Sequence, residues 1–265
     1  MIAVVVPAFN EADKLRVLLP RIPAHLFGLP VKVIVVSDGC TDGTDAVAVS
    51  HGSILVRLPR HRGKGAALRA GFDRAMELDL SQLVTMDADG QHYPADLERL
   101  VQPVIAGECE LAVGSRFLSD PSRGPAPLNR YLVRKVIVAA LLAALGRTYT
   151  DPCCGYRCFS FRALQAIRLQ GDHYQSELET LFEAAIHGLK VVEVAVSRDY
   201  PPGSSKMGAQ CGRLAGRAWV ISQYVSTIAR KTWELRRFQA VSATKDASAG
   251  PGQDRVRDDE PESAR

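Results

Sequence analysis

Short apolar runs, each closed by a polar turn, constrain this chain more than any other feature. Residues 2–6, 31–36, 83–86, 111–113 and 191–196 are apolar almost without interruption and rich in β-branched side chains. Strands that lack a polar face are buried on both sides, which is the habit of parallel strands covered by helices. Between the runs, apolar residues recur at helical spacing, as in Leu15, Leu18 and Leu19 and again in Leu97, Leu100 and Val101. Residues 53–58 supply a shorter strand. Alternating strand and helix implies an α/β fold with a mostly parallel sheet flanked by helices.

Open sheets of this kind bind ligands at the carboxyl ends of their strands, so the turns there are the candidate binding segments. The first run closes in Pro7-Ala8-Phe9-Asn10-Glu11, where Asn10 is a candidate helix cap. The second closes in Ser37-Asp38-Gly39-Cys40-Thr41-Asp42-Gly43-Thr44. Residues 83–86 lead into Asp87-Ala88-Asp89-Gly90-Gln91-His92, and residues 111–113 into Gly114-Ser115-Arg116. The pleat would send Asp87 and Asp89 to one side as the strand ends. Hard divalent cations take oxygen ligands, so this is a candidate metal corner; alone, it is equally an Asp/Gly turn. Arg62-Gly63-Lys64-Gly65 opens a helix reaching about residue 78. Free N–H groups and the helix dipole there would cradle a phosphate, although the spacing is not that of a P-loop.

Beyond Arg116 the character changes. A Pro/Gly-rich link at 120–127 precedes a helix over Leu128–Leu145, then Asp151-Pro152-Cys153-Cys154-Gly155-Tyr156-Arg157, and a helix over 176–187. Arg123, Arg130, Arg134, Lys135 and Arg147 lie in a segment, 121–150, that has no acidic residue. Such a segment prefers phosphates or an anionic surface. The net charge of +4 is too mild for a dedicated nucleic-acid binder. The six cysteines have neither zinc-site spacing nor disulfide density, which implies small buried thiols and a reducing, cytoplasmic compartment. Met1 leads directly into a strand, so no signal peptide is expected. No stretch reaches the roughly 18 apolar residues of a membrane span. Residues 136–145 form a core or interfacial helix, and the basic amphipathic helix at 212–238 packs on the domain or lies on a membrane surface. The tail at 240–265 is expected to be disordered.

The order of these motifs, Val5 to Glu11, Val36 to Thr44, Arg62 to Gly65, Asp87 to His92, then Gly114 to Arg116, resembles the family 2 glycosyltransferases of the GT-A fold. Within that family the chain is most similar to dolichyl-phosphate mannose synthases and bacterial polyprenyl-phosphate glycosyltransferases, over residues 2–208. The resemblance implies that Pro7, Asn10 and Glu11 line the nucleotide pocket, that Asp38 reaches the base or ribose, and that Lys64 serves the donor. It implies that Asp87, Asp89 and Gln91 hold Mg²⁺ or Mn²⁺ against the donor diphosphate. Arg116, joined by Arg130, would meet an acceptor phosphate, with Asp151 on the acceptor side and either Glu177 or Glu179 behind it. Ser205 and Lys206, in Gly203-Ser204-Ser205-Lys206, match a loop that closes over the diphosphate. The chain departs from the family at Ser37-Asp38, where two aspartates are usual, at Cys40 in place of serine, and at Tyr200 in place of arginine.

The implied activity is an inverting transfer of mannose or glucose from a UDP- or GDP-linked sugar to a polyprenyl phosphate, with peripheral contact at the cytoplasmic membrane face. A hydroxyl acceptor, with Asp151 as its general base, is the alternative, and a non-catalytic nucleotide-sugar binder is another. The implied organisation is a GT-A (Rossmann-like) domain at 1–210, an amphipathic helix at 211–239 and a tail at 240–265.

Overall fold

The computed structural model describes residues 1–118, 128–197 and 213–248, with backbone alone at 128–132, 213–217, 242–243 and 245–248. The side chain of Arg130, all of Ser205 and Lys206, the Pro/Gly-rich link before Leu128 and the chain beyond Ser248 lie outside the described residues.

The elements follow in order as β1 (Ile2–Ala8), α1 (Ala12–Leu18), β2 (His25–Leu26), β3 (Leu29–Asp38), α2 (Thr44–Ser50), β4 (Ile54–Leu58), α3 (Lys64–Met76) and β5 (Gln82–Thr85). Then come α4 (Leu97–Ile105), β6 (Leu111–Ser115), α5 (Leu128–Leu145), β7 (Arg157–Ser160), α6 (Phe161–Ala166), α7 (Ser176–Ile186), β8 (Val191–Ala195) and α8 (Arg213–Ser248). The sheet runs β3-β1-β5-β7-β6-β8, and β2 and β4 both pair with β3. Its main strands are parallel except β7, which runs antiparallel between β5 and β6.

Strand pleating divides the core in two. Ala3 and Val5 of β1, with Ile34 and Val36 of β3, face α3, α6 and α7. Ile2, Val4 and Val6 face α1, α2 and α4 instead. All five buried residues at 2–6 are fully excluded from water, as strands covered on both faces require. The mostly parallel architecture read from the apolar runs is therefore the one found.

Two differences have physical causes. Strand β7 is short and begins with Arg157, so nothing local marks it as central. It is held there because the Arg157 guanidinium, 2% exposed, donates to the carbonyls of Cys154 at 2.9 Å, Glu177 at 2.6 Å and Pro152 at 2.8 Å. Helix α8 extends to Ser248 rather than ending near 238. The added turns contain Ala240, Ala243 and Lys245, good helix formers that need no apolar face to continue a helix already begun.

Helices α5 and α8 pack together and frame an apolar groove of about 420 Å³, lined by Val133, Ile137, Ala140, Ile221, Tyr224 and Ile228 among others. Among the described residues no helix is long and apolar enough to cross a membrane.

Candidate active site

The carboxyl end of β5 gathers several charged side chains at close range. Lys64, the first residue of α3, places Nζ 2.7 Å from Asp87 Oδ1 and 2.7 Å from Glu177 Oε1. Burial alone would lower the lysine pKa, but the two carboxylates outweigh it and raise it above its usual value. Burial opposes ionisation of Asp87 too, and Lys64 overcomes it, so that carboxyl titrates below its usual value. Asp89 has the opposite balance: burial and the adjacent Asp87 push it up to about 6. His92 is neutral at pH 7, since burial pushes it down to about 4. Its Nδ1 accepts the Asp87 N–H at 2.9 Å while the ring stacks on Tyr156 at 4.8 Å.

Gly155 lies against this ion pair. A Cβ there would come within 2.6 Å of Lys64 Nζ and 3.0 Å of Asp87 Oδ2. The obstructing atoms are the ends of flexible side chains, so Gly155→Ala should fold but displace the ammonium. We expect the KM of a substrate that meets Lys64 to rise about tenfold with little change in melting temperature. Steady-state kinetics beside a thermal melt would check both halves of that statement.

Gln91 links this corner to the end of β6. Its N–H and its Nε2–H both donate to Asp89, at 3.0 and 2.6 Å, and its Oε1 accepts from Arg116 Nη1 at 3.4 Å. Arg116 in turn donates from Nε to Asp151 Oδ2 at 2.7 Å and from Nη2 to Oδ1 at 3.1 Å. Asp151 is 1% exposed, and its own N–H is held by Glu193 at 3.0 Å. Asp151 therefore orients the guanidinium, rather than standing free beside an acceptor.

Further along the strand ends, the turns after β1 and β3 are locked together. Asn10 adopts a left-handed φ of 53°, which an asparagine tolerates. Its side-chain oxygen accepts the Thr41 N–H at 2.8 Å, and its own N–H donates to Cys40 Sγ at 3.2 Å. Asn10 is thus a loop clasp, not the expected helix cap; Glu11 occupies the cap position, and its side chain does not cap the helix amides. The Glu11 N–H donates to Thr44 Oγ1 at 3.0 Å, and its carboxylate pairs with Lys14 at 2.9 Å. Pro7 lies in β1 beside Val36. Asp38, 3% exposed, accepts the N–H groups of Arg62 and Gly63, both at 2.8 Å, and lies 2.8 Å from His61 Nδ1.

The phosphate cradle of free amides expected at the start of α3 is not there. The Gly65 and Ala66 N–H groups donate to the carbonyls of His173 and Asp172 at 3.1 and 3.2 Å, and Asp38 takes those of Arg62 and Gly63. A turn from a distant part of the chain has satisfied these donors, leaving the Lys64 ammonium, paired with Asp87 and Glu177, as the charged group at the start of α3.

The structure brings Lys64, Asp87, Asp89, Gln91, Arg116 and Asp151 together and puts Pro7, Asn10, Glu11 and Asp38 on the neighbouring strand ends. It also separates Glu177 from Glu179. Glu177 meets Lys64, whereas Glu179 accepts the Gln170 N–H at 2.9 Å and pairs with Arg230 at 2.6 Å. One residue escaped the motif reading: Arg134 donates to the Thr150 carbonyl at 2.8 Å and lies 4.1 Å over the Phe117 ring, beside Arg116. Its membership of the acid-free basic segment was the available signal.

Among the described residues, no group of three His, Cys, Asp or Glu gathers to hold a metal. The donor set on offer is two carboxylates and an amide oxygen, from Asp87, Asp89 and Gln91, all hard ligands. Burial and then the neighbouring Asp87 raise the Asp89 pKa, and a divalent cation between the two carboxylates would offset their mutual repulsion, so the residues fit a hard cation such as Mg²⁺ or Mn²⁺.

Residues 3–167 match the family described as Glycosyl transferase family 2. The chain is 33% identical over 217 residues to a polyprenol monophosphomannose synthase of Mycolicibacterium smegmatis, covering 77% of this chain and 80% of that one. It is 31% identical to an undecaprenyl-phosphate mannosyltransferase of Micrococcus luteus, covering 82% of this chain and 90% of that protein. The crystal structure of glucosyl-3-phosphoglycerate synthase from Mycobacterium tuberculosis shares the fold with a TM-score of 0.68 at 23% identity, over 88% of this chain and 80% of the other. The fold is that of the GT-A glycosyltransferases, and the chain belongs to glycosyl transferase family 2.

Proposed function

We propose that this protein is an inverting glycosyltransferase that moves a hexose from a UDP- or GDP-linked sugar to a polyprenyl phosphate. One observation carries the reading: Gln91 joins the carboxylate corner of Asp87 and Asp89 to a guanidinium that Asp151 holds in place. Groups suited to a donor diphosphate thus adjoin a cation suited to an anionic acceptor. The two mannosyltransferase relatives carry polyprenyl phosphate in their names, which supports the same acceptor here.

In this reading Lys64 offers a compact positive charge to the diphosphate. Arg116 orients the acceptor phosphate, already anionic at neutral pH, so positioning replaces a strong base. A bound Mg²⁺ or Mn²⁺, held by Asp87, Asp89 and Gln91, would neutralise charge developing on the leaving diphosphate. Pro7, Asn10, Glu11 and Asp38 shape the nucleotide end, and Arg130, Ser205 and Lys206 complete the phosphate contacts. A hydroxyl acceptor would need Asp151 as base, and its engagement by Arg116 favours the phosphate instead.

The test is a screen of UDP- and GDP-sugars against a polyprenyl phosphate, each with Mn²⁺ and with chelator. Transfer to the lipid phosphate, lost on chelation, is the expected result. Transfer confined to hydroxyl acceptors, or nucleotide-sugar binding without nucleotide release, would overturn the reading.

The lipid acceptor also requires a membrane face, and we assign it to α5 and α8 on the cytoplasmic side. Val136 at 67%, Val225 at 59% and Trp233 at 61% exposure project from these helices, with Lys135 and Arg237 close by in sequence. The protein should float with anionic phospholipid vesicles, and Val225→Glu combined with Trp233→Glu should abolish flotation. Equal flotation of wild type and variant would remove these helices from the membrane contact.

A further inference from the structure

Lys64 is held between glycines by a turn that belongs to a different part of the chain. A Cβ on Gly65 would lie 2.1 Å from the Gly171 carbonyl oxygen, so the turn at 170–173 presses directly on the start of α3. The His173 and Asp172 carbonyls accept the Gly65 and Ala66 amides, and Arg69 of α3 reaches back to the Gly171 carbonyl at 2.7 Å and to the Asp172 carboxylate. The first turn of α3, and with it the ammonium of Lys64, therefore takes its position from residues 170–173.

The other side of that turn rests on one buried charge. Glu179 is fully excluded from water, and its carboxylate accepts the N–H of Gln170 at 2.9 Å and of Gly171 at 3.0 Å. The cation that answers it comes from α8: Arg230 Nη2 lies 2.6 Å from Glu179 Oε1, while Nη1 donates to the Gln170 side chain. Helix α8 touches the same turn once more, through Trp219 against His173 at 4.9 Å, and meets Gln175 just beyond it through Gln223. A buried carboxylate deprived of its partner either draws in water or takes up a proton, and in both cases its hold on backbone amides changes.

From this chain of contacts we propose that Arg230 is a positioning residue for the donor site, acting through Glu179 and the 170–173 turn on Lys64. Helix α8 is then a working part of the transferase, not only a surface that meets lipid. The proposal deepens the glycosyltransferase reading and rests on it for the identity of the donor.

Two measurements test it, one of them free of any ligand. Hydrogen exchange in peptides covering residues 63–67 should be about tenfold faster in Arg230→Ala than in wild type, because the Gly65 and Ala66 amides lose their fixed acceptors. With Mn²⁺ and saturating polyprenyl phosphate, Arg230→Ala should raise the KM for whichever of UDP-glucose and GDP-mannose the wild type uses by about tenfold, with kcat within about twofold. Arg230→Lys keeps a cation for Glu179 and should recover most of both effects. Arg162→Ala, which removes a surface pair with Glu110 of 2.9 Å, should change neither. A lowered melting temperature with unchanged exchange at 63–67 and unchanged donor KM would overturn the proposal, leaving Arg230 as a staple for α8. If the wild type used neither nucleotide sugar, the donor assignment would fall, and exchange at 63–67 would still decide the relay.

Discussion

Asp89→Asn is expected to reduce sugar transfer by about 10³-fold while leaving the fold intact, because it removes the charge of the proposed metal ligand without changing shape. The stability of the variant should differ from wild type in a defined direction. The carboxyl titrates at about 6 in the folded chain, above the ordinary aspartate value of 3.8, owing to burial and to Asp87. A folded pKa raised in this way makes a contribution to stability that is fully present below pH 4 and is lost as pH rises through about 6. Metal-free wild type should therefore lose stability across that interval, and metal-free Asp89→Asn should not show this component. Melting curves in chelator from pH 4 to 8 would measure it. Adding Mn²⁺ should stabilise the wild type more at pH 7.5 than at pH 5, since the ligand must be ionised. Transfer by Asp89→Asn above a tenth of wild type would remove Asp89 from the donor machinery.

Arg116→Ala should lose transfer to polyprenyl phosphate by a comparable factor, about 10³-fold, with donor hydrolysis persisting. Here two effects must be separated. The side chains of Arg116 and Asp151 are 12% and 2% exposed, and removing the cation strands a buried carboxylate. Breaking a buried pair from one side costs about 3–5 kcal/mol, enough to unfold part of the population. The double variant Arg116→Ala/Asp151→Asn takes away the stranded charge, so its melting temperature should recover most of the way. Its transfer should not recover, since the contact proposed between Arg116 and the acceptor phosphate stays absent. A double variant that is both stable and active would show that Arg116 serves only to neutralise Asp151.

The parts of this molecule set by local chemistry were legible in the residues themselves. Continuous runs such as Ile2 to Val6 have no polar face to show water, so both faces had to be covered and the strand had to be internal. Strand β5 ends at Thr85 and turns at once into Asp87, Asp89 and Gln91, as the change from apolar to Asp/Gly chemistry requires. Helix α5 occupies Leu128–Leu145, the stretch marked by its apolar content after the Pro/Gly-rich link.

Tertiary structure decided what each of these groups is bonded to. No local rule says that the amides of Gly65 and Ala66 belong to the carbonyls of His173 and Asp172, more than a hundred residues away, and so the apparent anion cradle was already filled. None distinguishes Glu177 from Glu179, two residues apart on α7, although the first meets Lys64 and the second meets Arg230. Arg157 became the start of a central strand because two carbonyls from the 152–154 turn and one from the first turn of α7 converge on it. Residue type and spacing determined the strands, the helices and the chemical groups presented at the strand ends. Hydrogen-bond partners and buried ion pairs arise only when remote segments pack, and that packing determined which of those groups work together.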